Sequence, residues 1–424
     1  MVAVVPPVAT AQNMFRGDPA RTGIYDSSGP WELKGVKWTF HTGGPVLTSP
    51  AIADSVAYFG SDDHSVYAVD LTNGKQLWKF DTGGPVRSSP AVVAGTAYFG
   101  SYDGIFYAVD TATGKLKWRF GTAGERRFEA KGLHGFKPRN QTIPDFWDAL
   151  QSSPAVSGTL VYFGSGDGNL YALDTAGGQL KWKFTTGNVV HSSPAVADGV
   201  VYIGSWDSYL YALDAATGNE KWKFKTGEDP VNFNQVGIQA SPTVIDGMVY
   251  FGCRDSHIYA VEAKTGKEKW NFDNHGTWIT ASAVVQAGAL YVGASIPGNF
   301  YSLDEATGKP RYQLDMKFPV FSSAAVAGGL AYFGSDNGKL HALDLTTGKI
   351  VWEFQTEAGK KNSLGVIAAD GNMNFKVIFR TDFFEEMYRD GEKLYSLGSV
   401  LSSPAVDRGV VYFGSTDGNL YALE

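Results

Sequence analysis

The sequence predicts an all-β fold, an eight-bladed β-propeller whose blades are four-stranded antiparallel sheets. A unit of about forty residues recurs along most of the chain, and repeats of that length in an all-strand sequence are typical of propellers. The unit at residues 161–184 joins two alternating strands through the turn Asp167-Gly168, which is a strong hairpin signal. Abundant glycine (51 residues), 14% aromatic residues and 19% charged residues suit short strands, tight turns and packed rings.

Four landmarks recur in fixed order within the unit, and each marks one strand. The first strand begins with Ser-Pro-Ala-Val or a near copy, at Ser49, Ser89, Ser153, Ser193, Ser241, Ser282, Ser323 and Ser403. The second carries Tyr-Phe-Gly-Ser, and the third carries Tyr-Ala-Leu-Asp. The fourth carries Trp-x-Phe, at Trp78, Trp118, Trp182, Trp222, Trp270 and Trp352, with Tyr312 as the one substitute. Since small residues alternate with large ones along the strands, we expect these tryptophans to fill the space between blades.

The two ends of the chain complete one blade together. The first three strands occur eight times, but the fourth strand follows a third strand only seven times. The eighth copy, at residues 36–40 with Trp38, lies ahead of the first unit. We expect it to pair beside residues 420–423, because closing the ring removes a free sheet edge. Residues 1–35 are then an N-terminal extension packed on the disc, and residues 36–424 are a single propeller.

The repeat also resembles a known family. The segments YAVDLTNGKQLW (67–78), YAVDTATGKLKW (107–118) and HALDLTTGKIVW (341–352) are similar to the tryptophan-docking repeat of the pyrroloquinoline quinone (PQQ) propeller superfamily. The resemblance covers residues 36–424 apart from three insertions. It implies an eight-bladed propeller. The superfamily includes quinoprotein alcohol and sugar dehydrogenases, and also non-catalytic binding propellers such as the outer-membrane assembly lipoprotein of Gram-negative bacteria.

Three insertions interrupt the repeat, at residues 121–150, 228–237 and 355–399. Each lies between a fourth strand and the next first strand, so all of them are expected on one face of the disc, which we call the insert face. Loops on a rigid scaffold commonly carry binding. Two interpretations remain open: the long insertions bury their own aromatic side chains, or they form a lid over the central channel.

Candidate ligand-binding residues converge on the insert face. The residue two positions before each landmark serine should ring the channel mouth, and five contiguous ones are polar: Arg87, Gln151, His191, Gln239 and Thr280. The turns between second and third strands add Tyr102, Trp206 and Arg254, and the insertions add Arg126, Arg127, Trp147 and Arg380. Arg87 can present a fork to a carboxylate. His191 is expected to be charged only below about pH 6.5. Trp147 and Trp206 are expected on the insert face, outside the packing between blades.

The resemblance raises PQQ with calcium as a candidate cofactor, and with it a quinoprotein oxidoreductase. None of the eight ring positions is an acidic residue that could serve as a calcium ligand or base. The single Cys253 excludes the adjacent-cysteine disulfide that the resemblance implies for many alcohol-oxidising relatives. Carboxylates of the insertions (Glu129, Asp145, Asp148, Asp382 and Glu385) could still fold into the site. Neither a catalytic residue nor a metal site is predicted, since the seven histidines lack ligand spacing.

Two functions therefore remain: a binding or protein-interaction scaffold, or an enzyme with its site under the insertions. The partner is expected to be a small molecule, a peptide or a protein at the insert face. A net charge of −7 without a basic stripe disfavours nucleic acid, and no apolar run is long enough to span a membrane. The end of a trimmed export signal is suggested by Ala9-Thr10-Ala11, so we expect a periplasmic or secreted monomer.

Overall fold

Eight antiparallel sheets follow one another along the computed structural model, which describes residues 13–229, 231 and 233–424. The predicted eight-bladed propeller is confirmed. Two strands, β1 (Ile24–Tyr25) and β2 (Val36–His41), precede the repeating units. The expected end of an export signal at residues 9–11 lies outside the described residues. Within the described chain, no helix is both long and apolar enough to cross a membrane.

The remaining strands and helices follow in chain order. Blade 1 has β3 (Ala51–Ala53), β4 (Val56–Ser61), β5 (Ser65–Asp70) and β6 (Gln76–Asp81), and blade 2 has β7 (Ala91–Val93), β8 (Thr96–Gly100), β9 (Ile105–Asp110) and β10 (Leu116–Gly121). The first insertion contains β11 (Glu129–Lys131), a 3-10 helix (Leu133–Gly135) and β12 (Thr142–Pro144). Blade 3 has β13 (Ala155–Ser157), β14 (Leu160–Gly164), β15 (Asn169–Asp174) and β16 (Leu180–Thr185), and blade 4 has β17 (Ala195–Ala197), β18 (Val200–Gly204), β19 (Tyr209–Asp214) and β20 (Glu220–Lys225).

The second half repeats the same arrangement. Blade 5 has β21 (Thr243–Ile245), β22 (Met248–Gly252), β23 (His257–Glu262) and β24 (Glu268–Asp273), and blade 6 has β25 (Val284–Gln286), β26 (Ala289–Gly293), β27 (Asn299–Asp304) and β28 (Pro310–Asp315). Blade 7 has β29 (Ala325–Ala327), β30 (Leu330–Ser335), β31 (Lys339–Asp344) and β32 (Lys349–Gln355). The third insertion contains α1 (Glu357–Lys361) and α2 (Phe384–Tyr395), and blade 8 has β33 (Ala405–Asp407), β34 (Val410–Gly414) and β35 (Asn419–Leu423).

The ring closes through β2, which is the outer strand of blade 8. It pairs antiparallel with β35, with Val36 opposite Leu423 and Phe40 opposite Leu420. The predicted closure by the N-terminal strand is therefore confirmed. One blade thus contains residues from both ends of the chain, so its hydrogen bonds hold the ring shut.

The landmark serines form a continuous ring around the channel axis. In every blade the serine N–H donates to the serine Oγ of the next blade, over 2.8 to 3.1 Å. The ring runs through Ser49, Ser89, Ser153, Ser193, Ser241, Ser282, Ser323 and Ser403 and returns to Ser49. These bonds satisfy the buried N–H groups at the start of each inner strand. They also explain why the repeat requires a hydroxyl at this position.

The tryptophan of each outer strand packs against the next blade. The indole of Trp182 is buried and donates from Nε1 to the carbonyl of Ala215 at 3.0 Å. Its ring covers Gly218, where an added Cβ would approach the indole to 2.6 Å and where φ is +73°. Both the close approach and the positive φ require glycine there. Trp352 donates instead to Pro30 of the N-terminal extension, because blade 8 lacks the corresponding turn.

The N-terminal segment crosses the face opposite the insertions and covers the channel. Arg16 and Arg21 are buried, and each adopts a positive φ of about 60°. Arg16 donates to the carbonyls of Ser282 and Ala283, and Arg21 donates to those of Ser153 and Pro154. The channel is therefore covered on this face, and the insert face holds the sites described next.

Candidate binding site on the insert face

The inner ends of the blades surround a cavity that we call the central chamber. Its wall holds the eight residues that lie two positions before the landmark serines, above the serine ring: Leu47, Arg87, Gln151, His191, Gln239, Thr280, Phe321 and Leu401. Phe15 of the N-terminal segment lines one end, and Trp147, Ala149 and Leu150 of the first insertion line the other, with Tyr395 of α2. The chamber offers about 60 Å³ to water-sized molecules. The fold thus brings the five polar ring candidates together around one small space.

Arg87 is bound by a carboxylate of the protein itself. Its Nε and Nη2 donate to the two carboxylate oxygens of Asp62, at 2.8 and 2.6 Å. Tyr102 lies against the guanidinium, 5.6 Å from ring centroid to Cζ. Burial opposes the charge of Arg87, but the Asp62 carboxylate outweighs it and raises the pKa of Arg87. Arg87 therefore faces the chamber as half of an ion pair, and its fork is not free for a ligand carboxylate.

His191 is held between two carboxylates. Its Nδ1 lies 2.7 Å from Asp148 Oδ1, and its Nε2 lies 2.7 Å from Glu125 Oε1. Burial lowers the pKa of His191, but the two carboxylates outweigh burial and raise this pKa to about 10. The expectation that His191 is charged only in mild acid is therefore wrong: the imidazole is a cation at neutral pH.

Trp206 and Arg254 lie completely buried beneath the first insertion. The Trp206 ring stacks on Phe128, with centroids 4.5 Å apart. The Arg254 guanidinium carbon lies 4.6 Å from the Trp206 centroid and 3.7 Å from that of Trp278. The expectation that Trp206 lies outside the packed interior is wrong, because the first insertion folds over it and adds a small core of its own.

Two of the five insertion carboxylates fold inward, and both are fully buried. Asp148 accepts the backbone N–H of Phe128 at 2.7 Å in addition to its contact with His191. Asp145 accepts from Arg254 Nη1 at 2.6 Å and lies 3.0 Å from His134 Nε2. Burial raises the pKa of Asp145, but the interactions with Arg254 and His134 outweigh burial and hold this pKa well below its usual range. Glu129, Asp382 and Glu385 remain exposed at the surface.

A second cavity lies between the first and third insertions, and we call it the aromatic groove. Its volume is about 410 Å³, and its aromatic lining consists of Phe136, Trp147, Trp278, Phe321, Phe375 and Phe379. Trp147 lies 5.9 Å from Phe321 and 6.1 Å from Phe379, measured between ring centroids. The Phe375 side chain is 56% exposed. Trp147, Trp278 and Phe321 line both cavities, so the groove and the central chamber are adjacent.

The three insertion cations have different environments. Arg126 and Arg380 are exposed at the surface, whereas Arg127 is half-buried. The charge of Arg127 lies close enough to interact with Tyr102, Arg87 and Tyr388. These cations therefore do not form one cluster over the chamber.

Several polar residues of the site are outside the sequence-based candidates. Asp62 and Asp336 occupy the same turn position as Tyr102, one in blade 1 and one in blade 7, so reading that position in all eight blades would have found them. Burial raises the pKa of Asp336 well above its usual range, and its carboxyl oxygens have no partner among the described residues. Glu125 and Tyr395 come from the insertions, where no repeat gives a position.

Comparisons with known proteins agree with this architecture. Residues 31–131, 129–273 and 254–424 match a family described as outer membrane protein assembly factor BamB. The lanthanide-dependent methanol dehydrogenase of Methylacidiphilum fumariolicum is 36% identical over 90 residues, which cover 18% of this chain and only 15% of that enzyme. BamB from Moraxella catarrhalis superposes with a TM-score of 0.66 at 16% identity, covering 92% of this chain and 99% of that one. A europium-containing methanol dehydrogenase superposes at 0.70 with 14% identity, over 98% of each chain. At these identities the structural likeness shows the fold alone.

Proposed function

The chain belongs to the family of outer membrane protein assembly factor BamB, and from this membership we propose that it is a binding propeller that holds an apolar segment of a partner protein. The proposed site is the aromatic groove of the insert face. The family name supports the proposal that the protein acts outside the cytoplasm, either in the periplasm or as a secreted protein. The groove is formed by one monomer, so we propose that binding needs no second copy of the chain.

The observation that carries this proposal is the exposed aromatic lining of the groove. Phe375 keeps 56% of its surface exposed at the edge of a cavity of about 410 Å³. Exposed apolar surface that borders a cavity marks interaction sites more often than isolated exposed residues do. Aromatic side chains on a rigid support are also the usual anchors of protein interfaces.

The rim of the groove supplies polar groups that could orient a backbone. Asn234 and His134 both line the groove, and their side chains lie 3.0 Å apart. Asp145, bonded to Arg254, fixes the other imidazole nitrogen of His134. An extended segment could therefore bury apolar side chains on the phenylalanines and place its amide groups near this polar edge.

We test this proposal with Phe375→Asp, which places a charge on the apolar lining. Fluorescence anisotropy would be measured with labelled, end-blocked peptides in which phenylalanine and leucine alternate with serine. We expect the wild type to bind such peptides, and the variant to bind roughly tenfold or more weakly, because each peptide must leave a desolvated carboxylate at the contact. Phe383→Asp is the matched control, since Phe383 is 52% exposed in the same insertion but does not line the groove. Equal affinities of both variants would contradict the proposal, as would the absence of any peptide binding by wild type.

A PQQ-dependent dehydrogenase is the second candidate, favoured by the similarity to methanol dehydrogenases. The residues of the central chamber do not fit PQQ and calcium. About 60 Å³ is far too little for a three-ring quinone with three carboxylates. Arg87 and His191 already bind carboxylates of the protein, and the described residues contain no group of three acidic, histidine or cysteine side chains suited to a metal. We therefore derive no oxidation step from this chamber.

A further inference from the structure

The charged residues that line the central chamber are all of one sign. Among the described residues that line it, only Arg87 and His191 are charged, and both are cations. Their carboxylate partners Asp62, Asp148 and Glu125 do not line the chamber. The lining thus includes the cationic members of these ion pairs but not their carboxylate partners.

Several hydrogen-bond donors around the chamber have no acceptor in the described chain. Each serine Oγ of the ring accepts an N–H from the neighbouring blade, and no serine hydroxyl of the ring donates to another atom of the described chain. Gln151 is only 5% exposed; its Oε1 accepts the N–H of Arg87, whereas its Nε2 has no partner among the described residues. The buried hydroxyl of Tyr395 is likewise without a partner there. These groups require acceptors inside the cavity.

Further positive charge lies just below the serine ring. Arg16 and Arg21 bind the carbonyls of ring residues Ser282 and Ser153 from the opposite face. Burial lowers the pKa of Arg16 to about 10 and that of Arg21 to about 9, so both remain charged at neutral pH. Asp18 is the acidic neighbour of both arginines. Since one carboxylate faces two guanidinium groups, an excess of positive charge remains beneath the chamber.

We propose that the central chamber binds one small oxyanion, either a phosphate or a carboxylate group. A volume of about 60 Å³ holds roughly four to six water molecules, which matches an anion of four or five heavy atoms. Water brings donors as well as acceptors to the lining, whereas the unpaired donors of the lining need only acceptors. An oxyanion brings acceptors only, and charge-assisted hydrogen bonds to it are stronger than neutral ones.

The oxyanion can come from two sources. It can be free in solution, or it can be the carboxylate of a larger ligand whose aromatic body lies in the groove, since Trp147, Trp278 and Phe321 border both cavities. Both sources use the same chamber chemistry. The inference does not depend on capture of a protein segment, because the chamber residues are distinct from Phe375.

Isothermal titration calorimetry with phosphate, acetate and 3-phenylpropanoate tests the proposal on the full chain. We expect saturable one-to-one binding of at least one anion by wild type. Gln151→Glu replaces the free donor by a negative charge while keeping the acceptor for the Arg87 N–H, so we expect binding to weaken about tenfold or more. Gln76→Glu is the matched control: it makes the same charge change on an exposed residue of β6 and should bind as wild type does. Binding of acetate or phosphate identifies a free anion, and binding of 3-phenylpropanoate alone identifies a carboxylate on an aromatic body.

Two results would overturn the proposal. One is the absence of binding of all three anions to wild type. The other is unchanged binding in Gln151→Glu, which would place the anion outside the chamber. If Gln151→Glu does not fold, Thr280→Val removes a lining hydroxyl that has no hydrogen-bond partner in the described chain, and it must then weaken binding.

Discussion

The charge of His191 connects the first insertion to the propeller. His191 lies just ahead of β17, the inner strand of blade 4, and its partners Glu125 and Asp148 lie 66 and 43 positions earlier in the chain. The side chains of His191 and Asp148 are fully buried and that of Glu125 is 7% exposed, so water screens both contacts little. Protonation of one imidazole therefore helps to hold the insertion over the central chamber.

The stability of the protein should depend on pH through this group. The pKa of His191 is about 10 in the folded protein and about 6.5 in an unfolded chain. Because folding raises this pKa, its contribution is complete below about pH 6.5 and is lost as pH rises toward about 10. We expect the difference in unfolding free energy between wild type and His191→Gln, measured by urea denaturation, to be largest near pH 6 and to shrink steadily above it. A difference that stays constant with pH would show that His191 is not charged.

The stability cost of tryptophan substitutions should distinguish the packed interiors, between blades and under the first insertion, from the aromatic groove. Trp182→Ala opens a space between blades, and Trp206→Ala opens one under the first insertion, so each should cost about 3 to 5 kcal/mol. Trp147→Ala should cost clearly less, since this side chain is only half-buried between two cavities. Denaturation midpoints at equal transition slopes provide the measurement. A loss at Trp206 as small as that at Trp147 would contradict the packing of the first insertion.

The sequence predicts the positions of Arg87 and His191 better than it predicts their hydrogen-bond partners. Counting back two residues from each landmark serine locates Arg87 and His191 on the chamber wall, because every blade repeats the same sequence ahead of its inner strand. The bonds of Arg87 to Asp62 and of His191 to Glu125 follow no such rule. They depend on how a turn and an unrepeated insertion fold over the ring. The charge state of His191 and the hydrogen-bond donors left free in the chamber could therefore not be predicted from the sequence.

At the scale of elements, the sequence predicts the strands of the blades more fully than the conformation of the insertions. Each strand pattern occurs eight times in the sequence, so a copy that departs from the pattern can still be identified from the other copies. The hairpin of β11 and β12 and the helix α2 each occur once, and the sequence left their conformation open. Contacts between insertions decide their arrangement: α2 packs so closely on the first insertion that a Cβ on Gly391 would overlap the Phe146 ring. Such a close approach explains a glycine within a helix, which is otherwise unfavourable.

For the whole molecule, the N-terminal region performs two separable tasks. Residues 13–31 cover the channel, supply Arg16 and Arg21 beneath the serine ring, and provide Pro30 as the acceptor for Trp352. Strand β2 then closes the ring by pairing with β35. The first task concerns the chamber and its stability, whereas the second concerns whether blade 8 exposes an unpaired edge. Chains that begin on either side of β2 distinguish them.

A chain that begins at residue 42 should aggregate, because it lacks β2 and leaves β35 as an unpaired edge next to the apolar surface that Trp38 covers. A chain that begins at residue 35 keeps β2, so it should remain a soluble monomer. Its melting temperature should still be lower, since the carbonyls bonded by Arg16 and Arg21 and the indole of Trp352 lose their partners. Size-exclusion chromatography and thermal unfolding of both chains beside the full one measure these effects. A soluble monomer from residue 42 with an unchanged melting temperature would contradict closure by β2. Equal behaviour of the two shortened chains would show instead that the extension, rather than the strand, holds the ring together.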